Sequence, residues 1–221
     1  MISCVIWDWN GTLLDDVDVS IEAMNRVLER YGLERLNKER YRKIFRFPVR
    51  DYYELAGFDF GKVDFEKPAL EFIEEYYSLA GAAGLSHGAL EAVTRLSESS
   101  IRQVILSASE RESLIGQVRR LGIDGRFTDI LGINNHFAAS KAELALKWIS
   151  DNNLDKNNTV FIGDTTHDFE TASAADCPCV LVSSGHQSAD ALRAVSTNIA
   201  RDITEAAQMV LKLAEGEAVK I

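Results

Sequence analysis

The sequence predicts an α/β fold in which a parallel sheet is interrupted by an all-helical insertion. Three observations predict it. Residues 3–7, 104–106, 159–162 and 179–182 form short, mainly apolar runs without alternation, the pattern of strands covered on both faces. Helical periodicities lie between most of these runs, and strand–helix alternation builds a parallel sheet. From residue 16 to about residue 83 the alternation stops and only helical spacing is left.

Taken in order, the first strand is Ser3-Cys4-Val5-Ile6-Trp7. In the insertion, Val17, Ile21, Met24, Leu28 and Tyr31 recur at helical spacing and Gly32 ends the run. Shorter helical pieces are expected near 38–45 and 50–56. A longer helix over about 64–80 turns Phe65, Phe72, Tyr76 and Leu79 inward, and the pairs Tyr52-Tyr53 and Tyr76-Tyr77 read as core of the insertion. Its exits are Asp15-Asp16 and Gly81-Ala82-Ala83-Gly84, whose glycines read as a hinge. Beyond it, Ala89, Val93 and Leu96 share a helical face, and Leu114, Val118 and Leu121 share another that Gly122 stops. A weaker strand is expected at 127–131 and helices at 141–150 and 202–214. The chain thus divides into a core of 1–15 with 84–221 and a helical unit of 16–83.

At 221 residues the chain fits one domain, or one domain carrying an insertion. A net charge of −10 and a pI of 4.9 argue against nucleic acid and against an anionic membrane surface, both of which need a basic face. They leave room for a small anionic substrate held in a local pocket. Cys4, Cys177 and Cys179 offer no disulfide framework and no zinc knuckle. They read as reduced, buried thiols, and with no leader pattern in MISCVIW and no long apolar run, a cytoplasmic location is expected.

In open parallel sheets, ligands sit beyond the carboxyl ends of the strands. The residues that follow the strands are Asp8, Asn10, Gly11 and Thr12; then Ser107 and Ser109; then Gly163, Asp164, Thr165, Thr166, His167 and Asp168. Three carboxylates converging in a dry cleft repel one another unless a cation joins them, and all-oxygen ligands favour magnesium. Asp8 can then attack a phosphoryl group and form an aspartyl phosphate. Gly11 lets the backbone turn close to that phosphate, Thr12 and Ser107 offer hydroxyls, and Lys141 can balance the spreading charge.

At these residues the sequence resembles the haloacid dehalogenase (HAD) superfamily. Asp8-Trp9-Asn10-Gly11-Thr12 is similar to its motif I, D-x-D-G-T; Ser107 to motif II; Lys141 to motif III; and Gly163-Asp164-Thr165-Thr166-His167-Asp168 to the G-D-x-x-x-D form of motif IV. The insertion resembles the C1 cap of phosphoglycolate-phosphatase-like members. The resemblance implies a Rossmann-like core, Mg²⁺, Asp8 as nucleophile, phosphate binding by Gly11, Thr12, Ser107 and Lys141, and metal ligation by Asp8, the Asn10 carbonyl and Asp164. Asp168 would be a direct or outer ligand.

Residue 10 departs from the pattern. Family phosphatases carry an aspartate there that protonates the leaving oxygen and then activates water, and asparagine has no titratable proton for either task. Five readings stand: a phosphatase of small phosphorylated metabolites, slow or aimed at good leaving groups; a phosphonoacetaldehyde-hydrolase-like C–P hydrolase with a cap lysine from Lys38, Lys43, Lys62 or Lys67; a haloacid dehalogenase; a low-turnover phosphate- or partner-binding module; and an engineered Asp→Asn trap. His167 is a candidate auxiliary group, and Arg46 and Arg50, with Lys43, are candidates for a substrate anion. His87, His136 and His186 lack metal-ligand spacing, and Gly185-His186-Gln187 reads as loop.

Overall fold

The computed structural model describes residues 1–133 and 140–216. Six parallel strands form the central sheet: β1 (Cys4–Trp7), β4 (Arg102–Glu110), β5 (Asp129–Ile133), β6 (Thr159–Gly163), β7 (Cys179–Val182) and β8 (Ile199–Ala200). Their spatial order is β5-β4-β1-β6-β7-β8. The chain leaves β1 on one side for β4 and β5, then returns to the other side for β6, β7 and β8. The strand order reverses at β1, and the carboxyl edge at such a point is where open sheets bind ligands.

The strands β1, β6 and β7 are buried on both faces throughout, as is the middle of β4, which explains the unbroken apolar runs. Val5, Trp7, Ile105, Val160, Ile162 and Val180 point into one core. That core is closed by α5 (Ala89–Glu98), α6 (Arg111–Arg120) and α10 (Ile203–Ala214). Cys4, Ile6, Val104, Leu106, Phe161 and Leu181 point into the other. Here α7 (Lys141–Asp151) and α8 (Thr166–Ala174) supply Ala145, Trp148, Ile149 and Ala172. Side chains alternate between faces along a strand, so one sheet feeds two cores. All three cysteines are buried and free.

The insertion comprises α1 (Val17–Arg30), α2 (Lys38–Ile44), α3 (Val49–Ala56) and α4 (Glu66–Leu79). Its own core gathers Val17, Met24, Leu28, Tyr41, Tyr52 and Tyr53. The chain enters through β2 (Leu14–Asp15) and leaves through β3 (Gly84–Leu85), and these two pair antiparallel. The expected hinge is therefore a short two-stranded ribbon. A Cβ at Gly81 or at Gly84 would meet nothing within 4 Å, and neither has positive φ, so neither glycine is sterically required.

Five elements lie outside the sequence expectation. β2, β3 and β8 are two residues long, too short to show a period. The helix α8 buries Asp168, Thr171 and Ala172, a polar face that no apolar stripe announces. A short α9 (Ala189–Arg193) also lacks such a stripe. The strand expected at 127–131 lies at 129–133. β4 runs on to Glu110 because its pairing with β5 resumes there, after a register irregularity between Leu106 and Glu110.

Candidate active site

Register brings the first candidates together. Trp7 pairs with Ile105 on one side and Ile162 on the other, so Asp8, Ser107 and Asp164 sit within about one residue of the same row across the sheet. The irregularity in β4 then turns Ser107 and Ser109 toward Asn10: their hydroxyls lie 3.3 and 2.9 Å from Asn10 Oδ1. Bulges commonly re-aim side chains beside active sites in this way.

Lys141 is the first residue of α7, set by a Ser140–Glu143 capping box. Its ammonium donates to Asp8 Oδ1 and, at 2.6 Å, to Asp168 Oδ1. Asp168 also caps α8: its Oδ2 accepts from the Thr165 hydroxyl at 2.7 Å and from the Thr165 and Asp164 amides. Asp164 accepts from the Thr12 hydroxyl at 3.2 Å and from the His186 amide at 2.5 Å.

Backbone approach around Asp164 is close enough to demand glycine. Gly11 has φ +72°, and a Cβ there would collide with the Asp164 carboxylate and the His186 ring. A Cβ at Gly185 would also strike the Asp164 side chain.

Asp8, Asp164 and Asp168 each offer a carboxylate oxygen within 4.8 Å of the others. One ammonium cannot neutralise three carboxylates. Burial pushes the Asp8 carboxyl well up; Lys141 pulls it down, while Asp168 and Asp164 add to the rise. Burial likewise takes Asp164 up to about 6, against the pull of His186. Asp168 resists burial through its ties to Lys141 and Thr165 and is lowered. Lys141 is raised: burial disfavours its charge, and Asp168 and Asp8 more than reverse that. A buried, oxygen-only, over-anionic set of this kind fits a hard divalent cation such as Mg²⁺.

A second buried cluster joins the first. Asp16 is 1% exposed and accepts from Asn10 Nδ2 at 2.7 Å, from the Gly11 amide at 2.8 Å and from the Tyr76 hydroxyl at 2.6 Å. His186 Nε2 lies 3.2 Å from Asp16, and its Nδ1 lies 2.8 Å from the Tyr41 hydroxyl. Burial alone would push the His186 imidazole down; Asp16 overrides it, with Asp164 and Asp8 adding, and holds it up to about 9. Burial would raise Asp16, and His186, Tyr76 and Asn10 lower it.

Two expectations are corrected here. Tyr76 and Tyr77 are not core of the insertion: both line the cavity above Asp8, and Tyr77 is 43% exposed. His186 is not loop decoration but a buried partner of Asp16. No sequence signal marks either partner, since 170 residues separate them.

His167 stands at the rim, stacked on Phe47 at 4.7 Å and 3.4 Å from Glu170. Arg46 and Arg50 are not brought to the site. Arg50 lies over Phe60 at 4.9 Å and pairs with Glu54, while Arg46 bonds the Ile44 carbonyl, and neither lines the cavity. His136 lies outside the described residues.

The family model for haloacid dehalogenase-like hydrolases matches residues 5–182. The chain belongs to that family of enzymes. A comparison with curated proteins gave no match. Among solved structures, it is similar to Protein Tyrosine Kinase A of Mycobacterium tuberculosis, with 20% identity, TM-score 0.79, and coverage of 95% of this chain and 98% of that one. It is also similar to a predicted phosphatase from Clostridium acetobutylicum, with 17% identity, TM-score 0.77 and coverage of 96% and 99%. A third, described as a predicted phosphoglycolate phosphatase from Haemophilus somnus, shares 14% identity with TM-score 0.72 and coverage of 94% and 97%. At these identities the likeness is one of fold. Among the described residues, no helix is long and apolar enough to cross a membrane.

Proposed function

We propose that the chain is a Mg²⁺-dependent phosphatase that hydrolyses a small phosphorylated metabolite through an aspartyl phosphate on Asp8. One observation carries the reading: Asp8 shares the Lys141 ammonium with Asp168 beside Asp164, directly after the central strand and before the Gly11 turn. Mg²⁺, held by Asp8, Asp164 and the Asn10 carbonyl with Asp168 behind, would neutralise phosphoryl charge. Lys141 orients the Asp8 carboxylate and offsets negative charge as the phosphoryl group transfers. Thr12, Ser107 and the backbone at Gly11 supply donors to the phosphate oxygens.

Residues 16–83 would act as a cap on a core of 1–15 and 84–221, opening and closing on the β2–β3 ribbon and shielding the site from water. The buried, unpaired thiols suit a cytoplasmic setting. Burial holds Cys4 up at about 12 and Cys177 at about 11, which leaves them inert.

A second reading, a module that binds phosphate but turns over little, is favoured by Asn10. Its amide donates to Asp16 and Tyr76 and accepts from Ser107 and Ser109, and it has no proton to give. Loss of such acid–base help typically costs about 10²–10⁴ in rate. The C–P hydrolase reading needs a free lysine over the substrate. Among the described cavity residues Lys141 is the sole lysine, and it is committed to two carboxylates.

Acetyl phosphate with Mg²⁺ tests the proposal, with phosphate release and intact mass read together on the wild type and Asp8→Asn. Turnover that vanishes in Asp8→Asn establishes the phosphatase. A stable adduct with little turnover establishes the binding module, and neither product refutes both.

A further inference from the structure

We infer that the alcohol half of the substrate is a neutral aromatic group: the site takes the monophosphate ester of a ring-bearing alcohol, a phenol above all. The inference rests on the phosphatase reading for its chemistry and on the cavity wall for its specificity.

The cavity above Asp8 has a volume of about 840 Å³. Its floor is the carboxylate and lysine cluster, and its roof comes from the insertion. Phe47, Val49, Ile73 and Tyr77 all line that roof and remain 37%, 39%, 39% and 43% exposed. Most other large apolar side chains of the insertion are folded into its own core, while Leu55 and Leu70 are exposed singly away from the cavity. A patch of half-exposed rings and aliphatics directly over a phosphate cradle marks a ligand wall.

Charge excludes the alternatives. Among the described residues that line the cavity there is no arginine; the sole lysine already bridges Asp8 and Asp168, His186 is committed to Asp16 and Tyr41, and His167 is stacked on Phe47 at the rim. The walls hold carboxylates instead, Asp16 and Glu110. A substrate with a second anionic group, such as a carboxylate or another phosphate, would be desolvated against like charge with no uncommitted lysine or arginine among the described lining residues to receive it. An uncharged ring meets no such penalty and gains apolar burial.

Asn10 adds an independent constraint on the leaving group. The Asp8 oxygen forms a bond to phosphorus while the ester P–O bond breaks, its electron pair going to the departing oxygen. A phenol, with acidity like that of tyrosine near 10, departs as the anion far more readily than an alkyl alcohol, so it needs no proton from residue 10. Water then attacks the aspartyl phosphate, releases inorganic phosphate and restores the carboxylate, and its proton neutralises the phenolate.

The test is calorimetric titration of the whole protein, with Mg²⁺, using benzylphosphonate, methylphosphonate and phosphonoacetate. Benzylphosphonate is expected to bind about tenfold or more tighter than either of the others. Ile73→Asp, at a side chain exposed enough to leave the fold intact, brings that ratio close to one. Equal affinities, or a preference for phosphonoacetate, overturn the inference. The acetyl phosphate experiment keeps the two readings apart. Asp8-dependent phosphate release without aryl preference overturns the substrate class alone. Aryl preference with neither phosphate release nor an adduct supports the ligand class and sinks the phosphatase.

Discussion

Asn10 Nδ2 and the Tyr76 hydroxyl lie 2.8 Å apart, and both donate to the same oxygen of Asp16. The residue that departs from the motif is therefore tied to the helical insertion 66 residues away. An asparagine donates where an aspartate cannot, so Asn10 is fitted to its neighbour Asp16 as well as to the floor of the site.

Asn10→Asp would set a second carboxylate about 2.7 Å from Asp16. Two such groups cannot both ionise, so one carboxyl pKa rises. Above the unfolded carboxylate pKa near 4 the variant loses stability as pH rises, and at low pH the loss disappears. Denaturant unfolding at pH 5 and pH 8 should show a penalty of about 1–3 kcal/mol at the higher pH. Turnover of acetyl phosphate should rise at the acidic end, where the shared proton is present.

Mg²⁺ should raise the melting temperature of the wild type. At a hundredfold excess over Kd the gain is about 2.7 kcal/mol. Asp164→Asn removes one of the converging carboxylates and should abolish most of the Mg²⁺-dependent shift in differential scanning calorimetry, while relieving repulsion in the metal-free protein.

Gly11→Ala should be severe despite the small change. The new methyl meets both strain at φ +72° and the Asp164–His186 wall. A loss of phosphate binding together with at least about 1–2 kcal/mol of stability is expected. Gly81→Ala is the control, since nothing lies within 4 Å of its Cβ; chemical denaturation should leave it within about 0.5 kcal/mol of wild type.

The Asp16–His186 pair predicts a pH window. His186 titrates at about 9 in the folded chain against about 6.5 unfolded. Its contribution to stability is complete below about pH 6.5 and is lost as pH rises through 9. Thermal unfolding in metal-free buffer should show that decline, and the NMR titration of the His186 ring should report the midpoint. Asp16→Asn should lower the midpoint and flatten the decline.

The strands and the residues just beyond them were legible because burial on both faces writes an unmistakable apolar run, and a charged residue after it has few structural excuses. Asp8, Asp164 and Asp168 stood out for that reason, whereas Lys141 was marked only by its place at the head of an expected helix and by its motif. The polar ends of aromatic side chains are different. Helical spacing marks Tyr76 as inward, yet says nothing of a hydroxyl that reaches past its own core to Asp16. Partners joined only by the fold, such as Asp16 and His186, leave no local trace. Arg50 misled in the opposite sense: near the other basic residues of the insertion it suggested an anion site, but Phe60 and Phe65 take its guanidinium by cation–π contact at 4.9 and 5.8 Å.

The pairing of Asp15 with Gly84 has a consequence for how such a protein can change. The chain departs from the sheet and comes back to it at adjacent points, about 5 Å apart as in any antiparallel pair. The intervening helices form a closed loop of chain, a cassette with its two leads side by side. Another cassette with equally close leads could be spliced onto the same pair of residues, giving a new pocket roof, without moving Asp8 or the sheet beneath it.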